Sequence, residues 1–430
     1  METLRPLIDI SGGTARYLVE LPCFKPGHNL SPQNGLHASN DWDALLKFLN
    51  LDGHSASTLR SYSTALEQLS LWIILVRQVP LSGLTRADLA AYYEFISSPP
   101  EHWAGPPRKK FNKDGSINAA WRPFQLPATG KIGMASGTIK RVQRILKAFY
   151  AYMVDEGYLL GSPYVAPSIR GIRSPPPKKK SNVRFLGERD TLFIEKTLRD
   201  SLYDAKRLRN KRSYFKALRC YFVFELFLHT GLRISEAVTC RMGDINVNRV
   251  GKNRVFSMEV FERGLVYGNT RKVSLSESFI QILKEFRVGL NEVVSSSDWQ
   301  LMAPMPTYGD PMPLIPTISG RKPVTARQIS TIFNEIRQTC VETIDRLNEE
   351  RLSEDQQHEL RQMRSTLSRF TCHWVRHTYA TRLLLHTGNV PFIQEQLGYA
   401  IPTTVQVIFN TMKKLGDGDQ ADMRTTPREK

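Results

Sequence analysis

The stretch IRSPPPKKKSNVRF, residues 172–185, constrains this chain more than any other. Three consecutive prolines, Pro175, Pro176 and Pro177, fix φ and remove backbone donors, so neither a helix nor a central strand passes through them. The lysines that follow, Lys178, Lys179 and Lys180, keep the segment solvated or lay it against phosphates. The chain is therefore read as two folded parts joined by a Pro/Lys linker at 171–184. A length of 430 residues is enough for two or three domains, each with its own core.

Upstream of the linker, residues 1–37 carry little periodicity and are broken by Gly12, Gly13, Pro26, Gly27 and Pro32, which predicts a loose extension. Residues 38–170 form the first domain. Ser55 precedes an apolar stripe of Leu59, Tyr62, Leu66, Leu69 and Ile73 at helical spacing. Thr85 with Asp88 three residues on marks a second helix start. An insertion near 99–133, rich in proline, glycine and charge, carries Arg108, Lys109, Lys110 and Lys113. It reads equally as a solvated loop or as a basic strand of chain along a phosphate backbone. Then Ile139, Val142, Ile145, Leu146, Phe149 and Met153 form one helical face, with Lys140, Arg141, Arg144 and Lys147 on the other.

Downstream, helices are predicted at 188–202 and 211–230, strands at 255–260 and 272–275, and helices again at 279–290, 326–347 and 354–367. A last helical block covers 374–385, 391–397 and 403–413, with a tail at 414–430. The fold class is mainly α with a small β-sheet: a helical domain, then a mixed α/β domain at 185–413.

The net charge of +18 favours polyanions, because each neutralised phosphate releases condensed counterions. No run approaches a membrane span, and the chain opens without the basic and apolar regions of a secretory signal. Five scattered cysteines without a C-x-x-C pair suit reduced thiols in a cytoplasmic protein and argue against a zinc knuckle. No metal and no cofactor are expected.

Two stretches carry chemistry. In HTGLRISEAVTCRMGDI, residues 229–245, Arg233 sits at a break between helices. It projects into a cleft, caps carbonyls or pairs with Glu236; the residues alone leave this open. In HWVRHTYATRLLLHTGNVPFIQEQLGYAIPTT, residues 373–404, His373 and Arg376 stand three apart, on one face of a helix. A histidine exchanges a proton near neutral pH, and an arginine holds a phosphate through two hydrogen bonds.

Together, TGLRISEA with Asp244 downstream, HWVRHTYAT, the GNVPFIQEQLG run and the paired threonines before a final helix resemble the tyrosine recombinases, the phage-integrase-like site-specific recombinases. The resemblance covers 182–413, and more loosely the helical domain, which is similar to that family's core-binding domain. It implies a clamp on double-stranded DNA carrying a specific recombination site. It also implies homo- or hetero-oligomers, commonly a tetrameric synapse, and a place in the cytoplasm, nucleoid-associated on DNA. The basic residues Lys140, Arg141, Arg144, Lys147, Lys178, Lys179 and Lys180 are the DNA-contacting candidates. Arg233 and Arg376 would be the catalytic arginines, stabilising charge on the non-bridging oxygens while a tyrosine attacks phosphorus. His373 would assist proton transfer.

Three positions depart from the family pattern. Tyr399 stands where a histidine or tryptophan is usual. The turn ERGLVYGNT, residues 262–270, lacks the family's lysine, and its nearest cation, Arg263, is a poor proton donor. Lys272 follows in the next strand. Where the nucleophilic tyrosine belongs, at or beside position 409, the residue is Phe409, and no tyrosine follows it. An engineered Tyr→Phe change, a natural degenerate recombinase, or an unusual register with a nucleophile such as Thr411 would each account for it. The expected function is DNA integration and recombination by strand exchange, in a chain defective for cleavage. The alternative is a non-catalytic DNA-binding accessory factor on the same fold. A topoisomerase-like relaxing activity ranks last.

Overall fold

The structure, a computed structural model, describes residues 4–32, 35–125, 133–164, 185–251, 253–261, 270–293, 303–317, 322–347 and 353–398. The chain divides into two compact units, Met1–Pro176 and Pro177–Lys430.

In the first unit, β1 (Ile8–Asp9) pairs antiparallel with β2 (Arg16–Tyr17). Helices α1 (Asp41–Leu49), α2 (Ala56–Trp72), α3 (Arg86–Ser97) and α4 (Ser136–Asp155) follow, with β3 (Ala104–Gly105) and β4 (Phe124–Gln125) paired between α3 and α4. The caps sit where the sequence places them. Ser55 caps α2 through the Thr58 amide, and Thr85 and Asp88 bond reciprocally at the start of α3. Beyond Trp72 the helix continues as a π-turn over Ile73–Arg77 and stops at Gln78, which is left-handed at φ 55°.

The described part of the predicted loose extension is anchored at residues 7 and 8. Leu7 and Ile8 are buried in the core of this unit, and their amides donate to Glu67 Oε1 at 2.9 Å each. Glu67, 2% exposed, is neutralised by Lys110 at 2.8 Å, and Lys110 also donates to the Ile8 carbonyl at 2.6 Å. The sparse periodicity hid this, because two β residues and one remote carboxylate anchor the segment, not a repeating stripe. Lys110 belongs to the predicted basic insertion, yet its ammonium is engaged by a buried carboxylate. The insertion also supplies Trp103, Trp121 and Phe124 to the core. Glu67→Ala should strand two amides and a lysine, costing about 3 kcal/mol in urea unfolding and exposing residues 4–20 to protease.

The second unit opens with α5 (Glu188–Arg207) and α6 (Lys211–Thr230). Its central helix, α6, is apolar almost all round, from Tyr214 through Phe222, Phe224 and Phe227, so it is enclosed. It packs against α5, α8 (Glu277–Val293), α9 (Ala326–Asp345) and α11 (Cys372–Thr387). The Phe222 and Phe286 rings stack at 3.8 Å. Short α7 (Ile234–Ala237) leads into a three-stranded antiparallel sheet of β5 (Ile245–Val250), β6 (Asn253–Phe261) and β7 (Thr270–Leu275), in that order. β5 was not foreseen; INVNRV lacks clean alternation. Helix α10 (Glu354–Leu367) precedes α11, and α12 (Val390–Leu397) is the last described element.

β7 is the edge of this sheet, and its outer hydrogen-bonding groups are met by a side chain. The Gln396 amide donates to the Lys272 carbonyl at 3.1 Å and accepts from the Ser274 amide at 2.8 Å. One glutamine on α12 thus stands in for a neighbouring strand.

Candidate functional site: an arginine cleft at two helix ends

Helix α6 ends at Gly231, whose φ of +58° is left-handed. A Cβ there would lie 2.4 Å from Tyr379 Cδ1 and 2.9 Å from Leu397 Cδ2, so α11 and α12 close directly onto this turn. Two residues on, Arg233 begins α7. Its own amide donates to Glu236 Oε2 at 2.7 Å, its guanidinium to Glu236 Oε1 at 2.8 Å, and to the Gly398 carbonyl at 2.8 Å. Of the three readings left open by the sequence, capping and pairing are both realised, and the side chain also borders a cleft. Leu232, Arg233, Ile234, Ser235, Cys372, His373 and Arg376 line that cleft of about 320 Å³.

Arg376, at the first turn of α11, is 2% exposed. Its guanidinium donates to the carbonyls of Gly231, the cap residue after α6, and Leu397, the last residue of α12, and stands 3.8 Å from Glu236. Helix carbonyls at a C-terminus lack intrahelical donors and carry the negative end of the helix dipole, so an arginine is the natural partner.

The sequence reading missed Arg271. It began β7 two residues late, at Lys272, although TRKVSL alternates and places Arg271 inward with Val273 and Leu275. Arg271 is 8% exposed, donates to both oxygens of Glu236 at 2.8 Å, and donates through Nε to the Gln396 carbonyl at 3.0 Å. Lys272 points to the opposite, exposed face, so its side chain does not enter this cluster. Burial works to raise the carboxyl of Glu236, but the hydrogen bonds from Arg271 and Arg233 prevail and hold it below its ordinary range.

His373 reaches the cleft edge beside Arg376. Burial of its inner side, then the charges of Arg376 and Arg233, lower its pKa, so it is neutral at neutral pH. One turn on, His377 stacks on it at 5.9 Å, and its Nδ1 is buried without a partner among the described residues. Burial, then His373 and Arg376, pull His377 down to about 4. A histidine held neutral stabilises the fold fully above its unfolded pKa near 6.5, and that stability is lost as pH falls toward 4. Melting midpoints of the second unit should fall across this window, and His377→Gln should flatten the slope.

Other expected residues divide simply. Lys140, Arg141, Arg144 and Lys147 all lie on the exposed face of α4, opposite buried Val142, Ile145, Leu146 and Phe149. Arg263, Tyr399, Phe409, Lys178, Lys179 and Lys180 lie outside the described residues. Among the described residues no cluster of histidine, cysteine and carboxylate side chains is arranged to hold a metal, and no helix is long and apolar enough to cross a membrane.

The comparisons with known proteins converge on one family. Residues 200–414, half of the 430-residue chain, match the Phage integrase family and contain the whole arginine cleft. A tyrosine recombinase of Agathobacter rectalis is 25% identical over 273 residues, 63% of this chain and 70% of that protein. The XerH site-specific recombinase, in a post-cleavage complex with palindromic difH substrate, aligns with a TM-score of 0.50 at 13% identity. That alignment covers 85% of this chain and 79% of the other. A tyrosine-to-phenylalanine variant of the Tn1549 transposon integrase, in complex with transposon right end DNA, gives 0.50 at 16% identity, covering 86% and 94%. At these identities the two structures establish the fold: mainly helical, with a small sheet. The cleft, the match across half the chain and the shared fold agree, and the chain belongs to the phage integrase family of tyrosine recombinases.

Proposed function

We propose that this protein binds a specific site on double-stranded DNA and takes part in integration or recombination, as a chain that does not itself cut. The observation that carries this reading is the convergence of Arg233, Arg376 and His373 on one cleft. There the two guanidinia would hold the non-bridging oxygens of a phosphodiester, and neutral His373 would take up a proton. The exposed face of α4, with Lys140, Arg141, Arg144 and Lys147, would contact the backbone and set position without reading bases. Lys178, Lys179 and Lys180 would add to this from the linker. Assembly would be oligomeric on DNA, in the cytoplasm.

Cleavage is the point at which this chain departs. Phe409 occupies the place of the nucleophile, Tyr399 replaces the usual histidine or tryptophan, and the turn at 262–270 offers Arg263 but no lysine. A phenyl ring has no oxygen with which to attack phosphorus. The missing tyrosine and the missing turn lysine together favour a natural DNA-binding partner of an active recombinase over a single engineered change.

A site selected from a random duplex pool, then nicked as a suicide substrate, tests this. The unchanged chain should shift the duplex without forming a covalent adduct, and an adduct would overturn the cleavage-defective reading. Phe409→Tyr should yield an adduct only if the turn and Tyr399 still support transfer. Binding should fall about a thousandfold between 50 and 200 mM salt, as for a protein making several phosphate contacts. A flat response would remove the basic clamp.

A further inference from the structure

Glu236 stands behind the cleft, against both of its arginines. A buried carboxylate beside two arginines meant for a phosphate is, by itself, a competitor for that phosphate. Its side chain is 4% exposed, it touches Arg233 at 2.8 Å, and it lies 3.8 Å from Arg376. Placed alone there, it would cancel half of the positive charge the cleft presents. Yet it cannot simply be absent, because it also receives the Arg233 amide and closes the first turn of α7.

The third guanidinium resolves this. Arg271 approaches from β7 and meets both oxygens of Glu236 at 2.8 Å, the bidentate geometry in which arginine and carboxylate bind best. Its side chain is 7% exposed, so it faces inward and does not border the cleft. Three guanidinia and one carboxylate leave a net charge of two, which matches the two cleft arginines. We propose that Arg271 is the dedicated counter-ion of Glu236, a positioning residue that leaves Arg233 and Arg376 with their charge for a bound phosphate. This rests on the reading of the cleft as a phosphate site.

Geometry supports a role beyond packing. Arg271 Nε also holds the Gln396 carbonyl at 3.0 Å, while the Gln396 side chain grips the outer edge of β7 at the next residues, Lys272 and Ser274. The strand, α7 and the end of α12 therefore meet at one ion pair. Lysine at 271 would bring the same charge without the fork. An apolar residue would leave Glu236 to draw Arg233 and Arg376 to itself.

The test uses full-length protein with labelled arginines and inorganic phosphate as probe, followed by guanidinium NMR of Arg233 and Arg376. Removing one unit charge from this cluster should weaken phosphate about fivefold in Arg271→Met. The double variant Arg271→Met with Glu236→Gln removes the unpaired carboxylate and should recover most of the loss. A packing role predicts the opposite, since two substitutions in one buried pair would then be worse than one. Arg271→Lys, which retains charge and is the milder change for folding, should stay within about twofold of the unchanged chain. If Arg271→Lys falls as far as Arg271→Met, or the double variant fails to recover, the counter-ion role is overturned while the phosphate cleft stands. If the unchanged chain shows no phosphate response at Arg233 and Arg376, the cleft reading itself fails and this inference with it.

Discussion

Arg376→Ala should destabilise the second unit by about 3 kcal/mol and remove the anion site at the same time. The side chain is 2% exposed and serves two helix-end carbonyls, those of Gly231 and Leu397. Alanine leaves both acceptors buried without a donor, and leaves the volume of a long side chain empty. For a unit of this size the melting midpoint should fall by roughly 6–12 °C. Arg376→Lys keeps the charge but reaches one carbonyl at a time, so it should lie between the two. Calorimetry on all three chains checks the order, and an alanine variant that melts with the unchanged chain would refute the buried-cap account.

The second large effect is expected at a residue with no side chain. Gly231→Val should cost about 3 kcal/mol or more, since a left-handed φ and a clash act together. The left-handed conformation alone penalises any L-residue by about 1–2 kcal/mol. The added carbon would then meet the buried Tyr379 ring at 2.4 Å, which yields only if α11 moves away from α6. That movement would pull Arg376 from the Gly231 carbonyl, so stability and phosphate binding should fall together. Gly388→Ala makes the matching control: it ends α11 at a similar φ of +61°, with nothing within 4 Å of an added carbon. Its loss should be that of the backbone alone. Urea unfolding of the two variants separates strain from clash.

Much of this protein is legible in its sequence because its helices are written in the usual signals. The stripe on α4 separates core from cation residue by residue, and Thr85 with Asp88 fixes a helix start. Arg233, His373 and Arg376 were found by spacing and resemblance, and the structure brings them to one cleft. What stayed hidden depends on pairs remote in sequence. Glu67 and Leu7 are 60 residues apart, and Arg271 and Glu236 are 35 apart. No periodicity encodes such partners. Arg271 was lost through a boundary error of two residues at β7, which begins at Thr270, since an inward arginine in an alternating strand invites the question of which carboxylate it meets.

The two arginines of the cleft, and Arg271 behind them, also hold backbone carbonyls at the ends of its helices, and this sets an order in which such a protein can lose its parts. Arg376 holds the carbonyls of Gly231 and Leu397, Arg233 holds that of Gly398, and Arg271 holds that of Gln396. A lineage released from selection for strand cutting would still be bound to all three by the need to fold. A tyrosine on a terminal helix, or a lysine in a surface turn, has no such second employment. On the proposed cleavage-defective reading, drift would therefore erase the nucleophile and the proton donor first and leave the guanidinia standing, in keeping with Phe409 and with Arg263 as the cation of residues 262–270 in the sequence.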